Sequence, residues 1–426
     1  MKFKISSLIP KEEFSKNVLT LVSGTAIAQI IPIAISPVLT RIYTPEEFGI
    51  YAIFTSIVVI FSVISNGRYE LAIVLPEKDE DAINIFALGL IINVVLLFFL
   101  SLIVYFFNDF IISKIGTQEL AFWLYFAPLC VFFAGLFNLL KYYNIRKKYY
   151  EDISKATVIK SVVISVIQLS FGFLKFGVSG LINGYFFSQL FANIRLANNI
   201  FRDKLLLSKI KKSKLVELGS RYKKFPIFSV WGIFANTFSY NYLNILISTF
   251  YSINTLGFYS LSSRVLSAPL SLISTSVGQV FFQTASIEKN KFGNARKTFK
   301  STFNKLLIIA IPFFSVLYFF IVDIFDFVYG PDWRVAGEYS KVLIPLFFIK
   351  FIVTPLSNIN NIFELQKLAL VWQVILMILS LSVIYMSDIF NLDFNYFLNI
   401  YVFVLLVHYL ILFIILRKVS LKGKLF

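Results

Sequence analysis

Three cationic side chains lie inside apolar stretches of this chain. Arg264 falls within the apolar run 254–284 and Lys350 within the run 338–363. A fixed charge inside a membrane span costs at least ~2.5 kcal/mol, so both should face protein or water rather than lipid. Arg264 has no acidic residue three or four positions away on its own helix, which favours binding of an anionic ligand over an ion pair. The third cation, Lys160, is near enough to the end of its run to reach the interface.

Uncharged polar residues recur at helical spacing in the same apolar stretches. Asn236, Tyr240 and Asn244 share one helical face, Ser271 lies on the face of Arg264, and Gln29 belongs to a polar stripe in the first run. Unpartnered polar groups facing lipid are costly. We therefore expect these side chains to line a wet cavity, the alternative being hydrogen bonds between neighbouring helices.

Four further ionisable residues have two interpretations each. Arg68 lies where the second run ends and is either an interfacial anchor or a ligand for an anion. Asp323 and Asp326 are three residues apart and could couple transport to an ion, or could be ordinary interfacial acids. His408 is the only histidine, and is either a structural residue or part of a proton relay.

Motifs for catalysis are missing from the sequence. It has no glycine-rich phosphate loop, no cluster of His, Cys and acidic residues for a metal, and no nucleophile close to a histidine. We therefore expect no catalytic residues, no metal, no cofactor and no enzymatic activity.

The composition indicates a polytopic membrane protein. Of the 426 residues, 58% are hydrophobic and 15% are charged, and a helix needs about 20 apolar residues to cross a bilayer. The fold predicted is therefore all-α, with twelve transmembrane helices. The runs are 17–39, 47–67, 82–107, 119–141, 156–174, 178–199, 226–250, 254–284, 303–329, 338–363, 368–387 and 395–416.

A short motif occurs twice and predicts an internal duplication. YTPEEFGIY at 43–51 and YSINTLGFY at 251–259 place Tyr, Gly and Tyr in the same register, 208 positions apart. The first copy follows the first apolar run and the second follows the seventh. We expect an N-lobe at 17–200, a basic linker at 201–225 and a C-lobe at 226–416.

The basic residues predict the orientation in the membrane. With the N-terminus in the cytoplasm, 32 of the 40 lysines and arginines fall on the inner side and five on the outer side. Such a bias places both termini in the cytoplasm, with short cytoplasmic segments at 1–16 and 417–426. The net charge of +17 is thereby explained without nucleic acid as a partner.

Several stretches, in order along nearly the whole chain, resemble the oligosaccharide flippase (polysaccharide transporter) family of the MOP exporter superfamily. Arg264 and Arg68 are the two site candidates that stand at motif positions. The matching stretches are LTRIYTPEEFG at 39–49, GRYELAIVLP at 67–76, RYKKFP at 221–226, GFYSLSSR at 257–264, YGPDWRVAG at 329–337, and TPLS at 354–357 with ELQK at 364–367.

The resemblance implies two six-helix lobes around a central cavity in the bacterial inner membrane. It also implies that a polyprenyl-diphosphate-linked oligosaccharide is moved from the inner to the outer leaflet by alternating access, for O-antigen or other surface polysaccharide. Lipid and other polysaccharide-assembly proteins would be the partners. A multidrug or small-molecule exporter of the same superfamily is the alternative, and a membrane polymerase or glycosyltransferase is a weaker one.

Overall fold

A computed structural model describes residues 11–422, with side chains from Ser23 onward except Phe228 and Thr275. The expected cytoplasmic segment 1–16 and tail 417–426 therefore lie partly outside the described residues. Throughout the described residues, all regular secondary structure is helical. The predicted all-α class is confirmed.

Each of the twelve predicted apolar runs is occupied by one α-helix, or by two in the runs 119–141 and 338–363. Ten helical segments are long and apolar enough to cross a membrane by length and composition. The helices Val178–Arg202 and Val230–Phe250, which carry more polar side chains, fall outside that set. The main helices are α1 Lys11–Ile42, α2 Pro45–Ser62, α3 Asp79–Ile115, α4 Leu120–Leu124, α5 Ala127–Arg146, α6 Tyr150–Phe173, α7 Val178–Arg202, α8 Lys204–Leu207, α9 Lys212–Arg221, α10 Val230–Phe250, α11 Ile253–Phe292, α12 Arg296–Tyr329, α13 Arg334–Leu356, α14 Ile359–Ile362, α15 Gln366–Ile389 and α16 Phe394–Lys422.

Two predicted segments differ in detail from the helices observed. The run 119–141 is divided into α4 and α5 next to Pro128, which stands at the start of α5, where the missing proline N–H has no helical partner to lose. The basic linker 201–225 contains the helices α8 and α9. Leu218 of α9 is buried, so this linker packs onto the protein.

The first of two compact units comprises Met1–Ile35, Val58–Ile111 and Glu119–Trp231. Within it α7 packs against α5 and α6. A short 3-10 helix, Tyr69–Val74, follows α2 and packs on α5. The hydroxyl of Tyr69 donates a 2.9 Å hydrogen bond to the carbonyl of Gly219, which ties α9 to this helix.

The second unit comprises Ser36–Ile57, Ile112–Gln118 and Gly232–Phe426. At its centre α13 packs against α11, α12 and α16. The sequence-based lobes divided the chain by order alone, whereas the observed contacts group Ser36–Ile57 with the second unit.

Hydrogen bonds explain this grouping. Trp333 Nε1 donates to the carbonyl of Thr40 at 2.8 Å. The Arg41 guanidinium donates to the carbonyls of Val328 at 2.7 Å and Phe327 at 3.2 Å. Arg41 thus satisfies carbonyl groups in the last turn of α12, which have no partner within that helix.

Candidate functional site

Arg264 lies about three turns into α11, in the second unit. The helix begins after Ser252, whose hydroxyl accepts a 3.0 Å hydrogen bond from the Thr255 amide and caps the first turn. The Arg264 side chain is exposed. Its guanidinium carbon lies 6.0 Å from the ring centre of Phe48 and 5.8 Å from that of Tyr51, both on α2.

Arg264 forms no ion pair with a carboxylate within residues 23–422, the part of the chain whose side chains are described. At an exposed position, a cation–π contact contributes only about 0.5–1 kcal/mol. The aromatic rings therefore orient the guanidinium without neutralising it. The guanidinium thus keeps its positive charge at an exposed position in a helix that is long and apolar enough to cross a membrane.

Lys350 occupies an aromatic cage in the same unit. Its ammonium lies 4.9 Å from the ring centre of Tyr240 on α10, 5.4 Å from that of Phe347 on α13 and 5.5 Å from that of Tyr409 on α16. The two tyrosine hydroxyls are 3.1 Å apart and share a hydrogen bond. The faces of three rings on three helices thus hold the ammonium, and no described carboxylate pairs with it.

The polar residues expected to line a cavity differ in burial and in hydrogen-bond partners. Asn244 donates a 3.0 Å hydrogen bond to the hydroxyl of Ser56, so it belongs to a helix–helix seam. Asn236 is half-buried on α10, the helix that also carries Tyr240. Ser271 is exposed on α11, and its hydroxyl donates to the carbonyl of Ala268 at 2.9 Å.

Arg68 and Gln29 belong to the first unit. Arg68 precedes the 3-10 helix with φ 62°, a left-handed conformation that costs a non-glycine residue about 1–2 kcal/mol. Its Nη1 lies 3.2 Å from Oε1 of Glu70, whose side chain is only 4% exposed. Arg68 Nε and Glu70 Oε2 are buried without hydrogen-bond partners in the described structure. Gln29 is half-buried on α1.

The three candidates for ion coupling lie in different surroundings. Asp323 is exposed on α12. Asp326 pairs with Arg334 at 3.5 Å, and both side chains are partly exposed, so this pair contributes little to stability. His408 is buried and stacks on Trp372, with ring centres 4.8 Å apart and planes 14° apart. Its Nε2 has no hydrogen-bond partner within the described residues.

Sequence reasoning missed several residues of these clusters. Tyr409 completes the cage of Lys350, and Glu70 pairs with Arg68. Trp333 lies between the rings of Phe48 and Phe258, at 5.0 and 5.7 Å. Of these residues, only Glu70 could have been found from the sequence, because it lies two residues from Arg68 and carries the opposite charge. Tyr409 and Trp333 are far along the chain from their partners.

Clusters of metal-ligating side chains were also sought in the described residues. No group of three or more His, Cys, Asp or Glu side chains is close enough to hold a metal ion in that part of the chain. Arg264 and Lys350 are cations, and the side chains found against them are the rings of phenylalanines and of tyrosines that carry hydroxyls. Such a set can bind an anion and hydrogen-bond a polar ligand.

Comparison with known proteins gives both a family and a fold. A family model described as "Polysaccharide biosynthesis protein" matches residues 38–338. No curated protein matches in sequence.

Solved structures match over nearly the whole chain. The lipid II flippase MurJ in an inward closed conformation is 15% identical, with a TM-score of 0.68 over 97% of this chain and 91% of that one. An inward-facing multidrug resistance MATE transporter of the MOP superfamily is 14% identical, with a TM-score of 0.61 over 95% of both chains.

A MOP superfamily transporter from Pyrococcus furiosus is 15% identical, with a TM-score of 0.58 over 96% of both chains. Its structure is described as having a binding pocket of reverse polarity that suggests a different function. At these identities the matches establish the fold, and the predicted two-lobe polytopic architecture is confirmed. Because the family model covers well over half of the 426 residues, this chain belongs to the polysaccharide biosynthesis protein family and has the fold of MOP superfamily transporters.

Proposed function

We propose that this protein is a flippase that moves a polyprenyl-diphosphate-linked oligosaccharide from the inner to the outer leaflet for surface polysaccharide, such as O-antigen. It would act in the bacterial inner membrane with both termini in the cytoplasm. The family description and the fold shared with a lipid II flippase support this proposal. The observation that carries it is the exposed guanidinium of Arg264 in a membrane-spanning helix, with no described carboxylate as its partner.

The diphosphate is the part of such a substrate that most needs a protein partner. An unpaired charge in hydrocarbon is far more costly than an unpaired hydroxyl. A guanidinium can donate two parallel hydrogen bonds to phosphate oxygens, which makes Arg264 the preferred ligand. Phe48 and Tyr51 hold it in place without supplying a competing negative charge.

The other predicted site residues take secondary roles in the proposal. Lys350 raises the local positive potential from within its aromatic cage, and Arg68 provides a further cation in the first unit once it leaves Glu70. In the second unit, the amide of Asn236 and the hydroxyls of Tyr240 and Ser271 would replace water around the sugars, and Asn244 would join them on leaving Ser56. Gln29 is the corresponding candidate of the first unit. Rocking of the two lobes would expose the site to each side in turn.

An ion gradient would drive this cycle. Asp323, Asp326 and His408 are the proposed coupling residues. Asp323 is the best placed of the three to exchange an ion with solvent, because it is exposed and free of ion pairs in the described structure. The buried, stacked His408 fits a structural role better.

Two other functions make different demands on the site. An exporter of cationic small molecules needs acidic groups where its substrate binds, whereas the charged groups here are Arg264 and Lys350. A polymerase or glycosyltransferase would need a catalytic group. The site described above consists of ligand-binding side chains, which fit transport without enzymatic chemistry.

The test is to replace Arg264 by Ala and, separately, by Lys in cells that depend on this protein for surface polysaccharide. We expect Arg264→Ala to abolish outward movement of the lipid-linked intermediate, measured by its accessibility to a membrane-impermeant probe. Arg264→Lys should retain part of the activity, because the charge remains while the fork is lost. Arg202→Ala, a matched loss of an exposed arginine on α7, should have no effect. Normal translocation by a membrane-inserted Arg264→Ala variant would overturn the proposal.

A further inference from the structure

The turn between α11 and α12 forms a cleft separate from the site around Arg264. The cleft has a volume of about 570 Å³. Three cationic side chains line it: Arg296, Lys297 and Lys300. Glu288 is the only acidic residue in the lining, so three cations face one carboxylate and the formal charge of the lining is positive.

Glu288 is fully engaged with the backbone. Its two carboxylate oxygens accept hydrogen bonds from the amides of Lys297 at 2.8 Å and Thr298 at 2.7 Å. These amides belong to the first turn of α12, which has no helical acceptors for them. Glu288 therefore caps α12, and its carboxylate oxygens are directed at backbone amides rather than at the cationic side chains.

The backbone around the cleft is fixed at two further points. The amide of Ala295 donates to the carbonyl of Ser420 on α16 at 2.9 Å. The ammonium of Lys289 donates to the carbonyl of Ile362 at 2.5 Å and lies over the ring of Phe363. The walls of the cleft are thus preorganised, so a ligand would not have to order the backbone when it binds.

The cations of the cleft, in contrast, remain available. Arg296, Lys297 and Lys300 are exposed, and none forms an ion pair within the described part of the chain. Ser301 and Asn304 also line the cleft, and no partner for their side chains is found among the described residues. All five lie within nine residues of α12. They present three positive charges and two neutral hydrogen-bonding groups to the same space.

The position of the cleft along α12 indicates the depth of its ligand. The apolar run that contains most of α12 begins at residue 303. At about 1.5 Å per residue, Lys300 lies about 4.5 Å and Arg296 about 10.5 Å outside this boundary, and Asn304 lies just inside it. The long side chains of Arg296 and Lys297 can reach back toward the headgroup layer. The headgroup layer extends roughly 5–8 Å beyond the hydrocarbon on each side of a bilayer. Phe292, which is 71% exposed, adds an apolar surface to the lining.

We propose that this cleft is a binding site for the phosphate headgroup of an anionic phospholipid. Arg296, Lys297 and Lys300 bind the phosphate, and Ser301 and Asn304, which lie nearest the hydrocarbon, hydrogen-bond the oxygens of the glycerol ester region. A free phosphate ion would use only the cations. A phospholipid also uses Ser301 and Asn304, which lie at the edge of the apolar run of α12 where its glycerol esters would be, so the phospholipid is the favoured source of the phosphate.

The test compares two triple variants that lose the same charge on the same predicted side of the membrane. The cleft variant is Arg296→Gln/Lys297→Gln/Lys300→Gln. The control is Lys211→Gln/Lys212→Gln/Lys223→Gln, three exposed lysines in and beside α9. Binding of phosphatidylglycerol to the full chain in neutral detergent is measured by native mass spectrometry, and phosphatidylcholine is the neutral lipid for comparison.

We expect the wild type and the control to retain one phosphatidylglycerol with similar affinity, and the cleft variant to bind it about tenfold more weakly or worse. Lys300→Gln alone should give an intermediate loss, and it serves if the triple variant folds poorly. Equal losses in both triple variants would mean non-specific attraction and would overturn the proposal. Displacement of the lipid by millimolar inorganic phosphate would also overturn it, because a soluble anion would then be the ligand.

Discussion

Gly257 lies directly against the carbonyl group of Pro45, so closely that a Cβ atom on Gly257 would stand 1.8 Å from the carbonyl oxygen. The relationship is reciprocal, because a Cβ on Gly49 would stand 2.2 Å from the carbonyl oxygen of Ile253. Gly49 and Gly257 hold the same position in the two copies of the repeated motif. Each glycine therefore packs on the backbone of the other copy, an arrangement expected when two copies of a duplicated element meet within one unit.

Replacing Gly257 by Ala should destabilise the protein. The methyl group would collide with backbone, which cannot move aside as a flexible side chain can, and overpacking costs about 1–3 kcal/mol or more. We expect a clearly lower melting temperature for the purified protein in detergent. Gly232→Ala is the control, because its Cβ would lie 3.5 Å from Leu370 Cδ1, an ordinary contact. Equal melting temperatures for the two variants would contradict this account of the motif.

Trp333 gives a second prediction about the same unit. Its ring is almost fully buried, and its Nε1 donates to the carbonyl of Thr40. Trp333→Phe should keep most of the packing and lose the hydrogen bond, which leaves the carbonyl unsatisfied at a cost of about 1–3 kcal/mol. Trp333→Ala should cost about 3–5 kcal/mol, because it also leaves a cavity. Thermal unfolding of both variants would check this order, and a Phe variant as unstable as the Ala variant would disprove it.

Two variants of Tyr240 can show whether the aromatic ring or the hydroxyl of this residue matters more for holding Lys350. Tyr240→Phe keeps the ring over the ammonium and loses only the hydrogen bond to Tyr409. The free energy of unfolding should therefore fall by about 1 kcal/mol or less. Tyr240→Leu removes the ring and should weaken the hold on the ammonium more strongly. Translocation measured as for Arg264 should therefore fall more in Tyr240→Leu than in Tyr240→Phe. A larger loss in Tyr240→Phe would show that the hydroxyl, rather than the ring, is needed.

The fold was predictable because apolar runs of membrane-spanning length determine helices almost irrespective of tertiary contacts. It was also predictable that Arg264 has no carboxylate partner on its own helix, because an acidic residue three or four positions away would be visible in the sequence. The cage of Lys350 was not, because Tyr409 follows 59 positions later on α16 and helix periodicity does not show which helix faces which.

The hydrogen bonds made by the end of α1 were also beyond sequence reasoning. Thr40 accepts one from Trp333, and Arg41 donates to the carbonyl of Val328 on α12. Only tertiary contacts can reveal bonds between residues so far apart along the chain. The left-handed conformation of Arg68 was equally hidden, because a non-glycine residue seldom adopts it.

Glu70 makes stability depend on pH in a direction set by its burial. It lies between α2 and α3, outside the apolar spans. Burial, opposed in part by the Arg68 guanidinium and by hydrogen bonds, raises the pKa of Glu70 above its usual value of 4.5. The folded protein therefore binds this proton more tightly than the unfolded chain does. The resulting stabilisation is complete below pH 4.5 and is lost as the pH rises through the folded-state pKa.

Glu70→Gln should remove this dependence, because glutamine stays neutral at every pH. We expect the melting temperature of the variant, relative to the wild type, to increase as the pH rises from about 4.5 through the raised pKa. Glu77→Gln, at an exposed position in the same link, should follow the wild type throughout. If Glu70→Gln instead lost stability relative to the wild type as the pH rose, the ion pair with Arg68 would outweigh burial, and the carboxylate would be stabilised in its charged form.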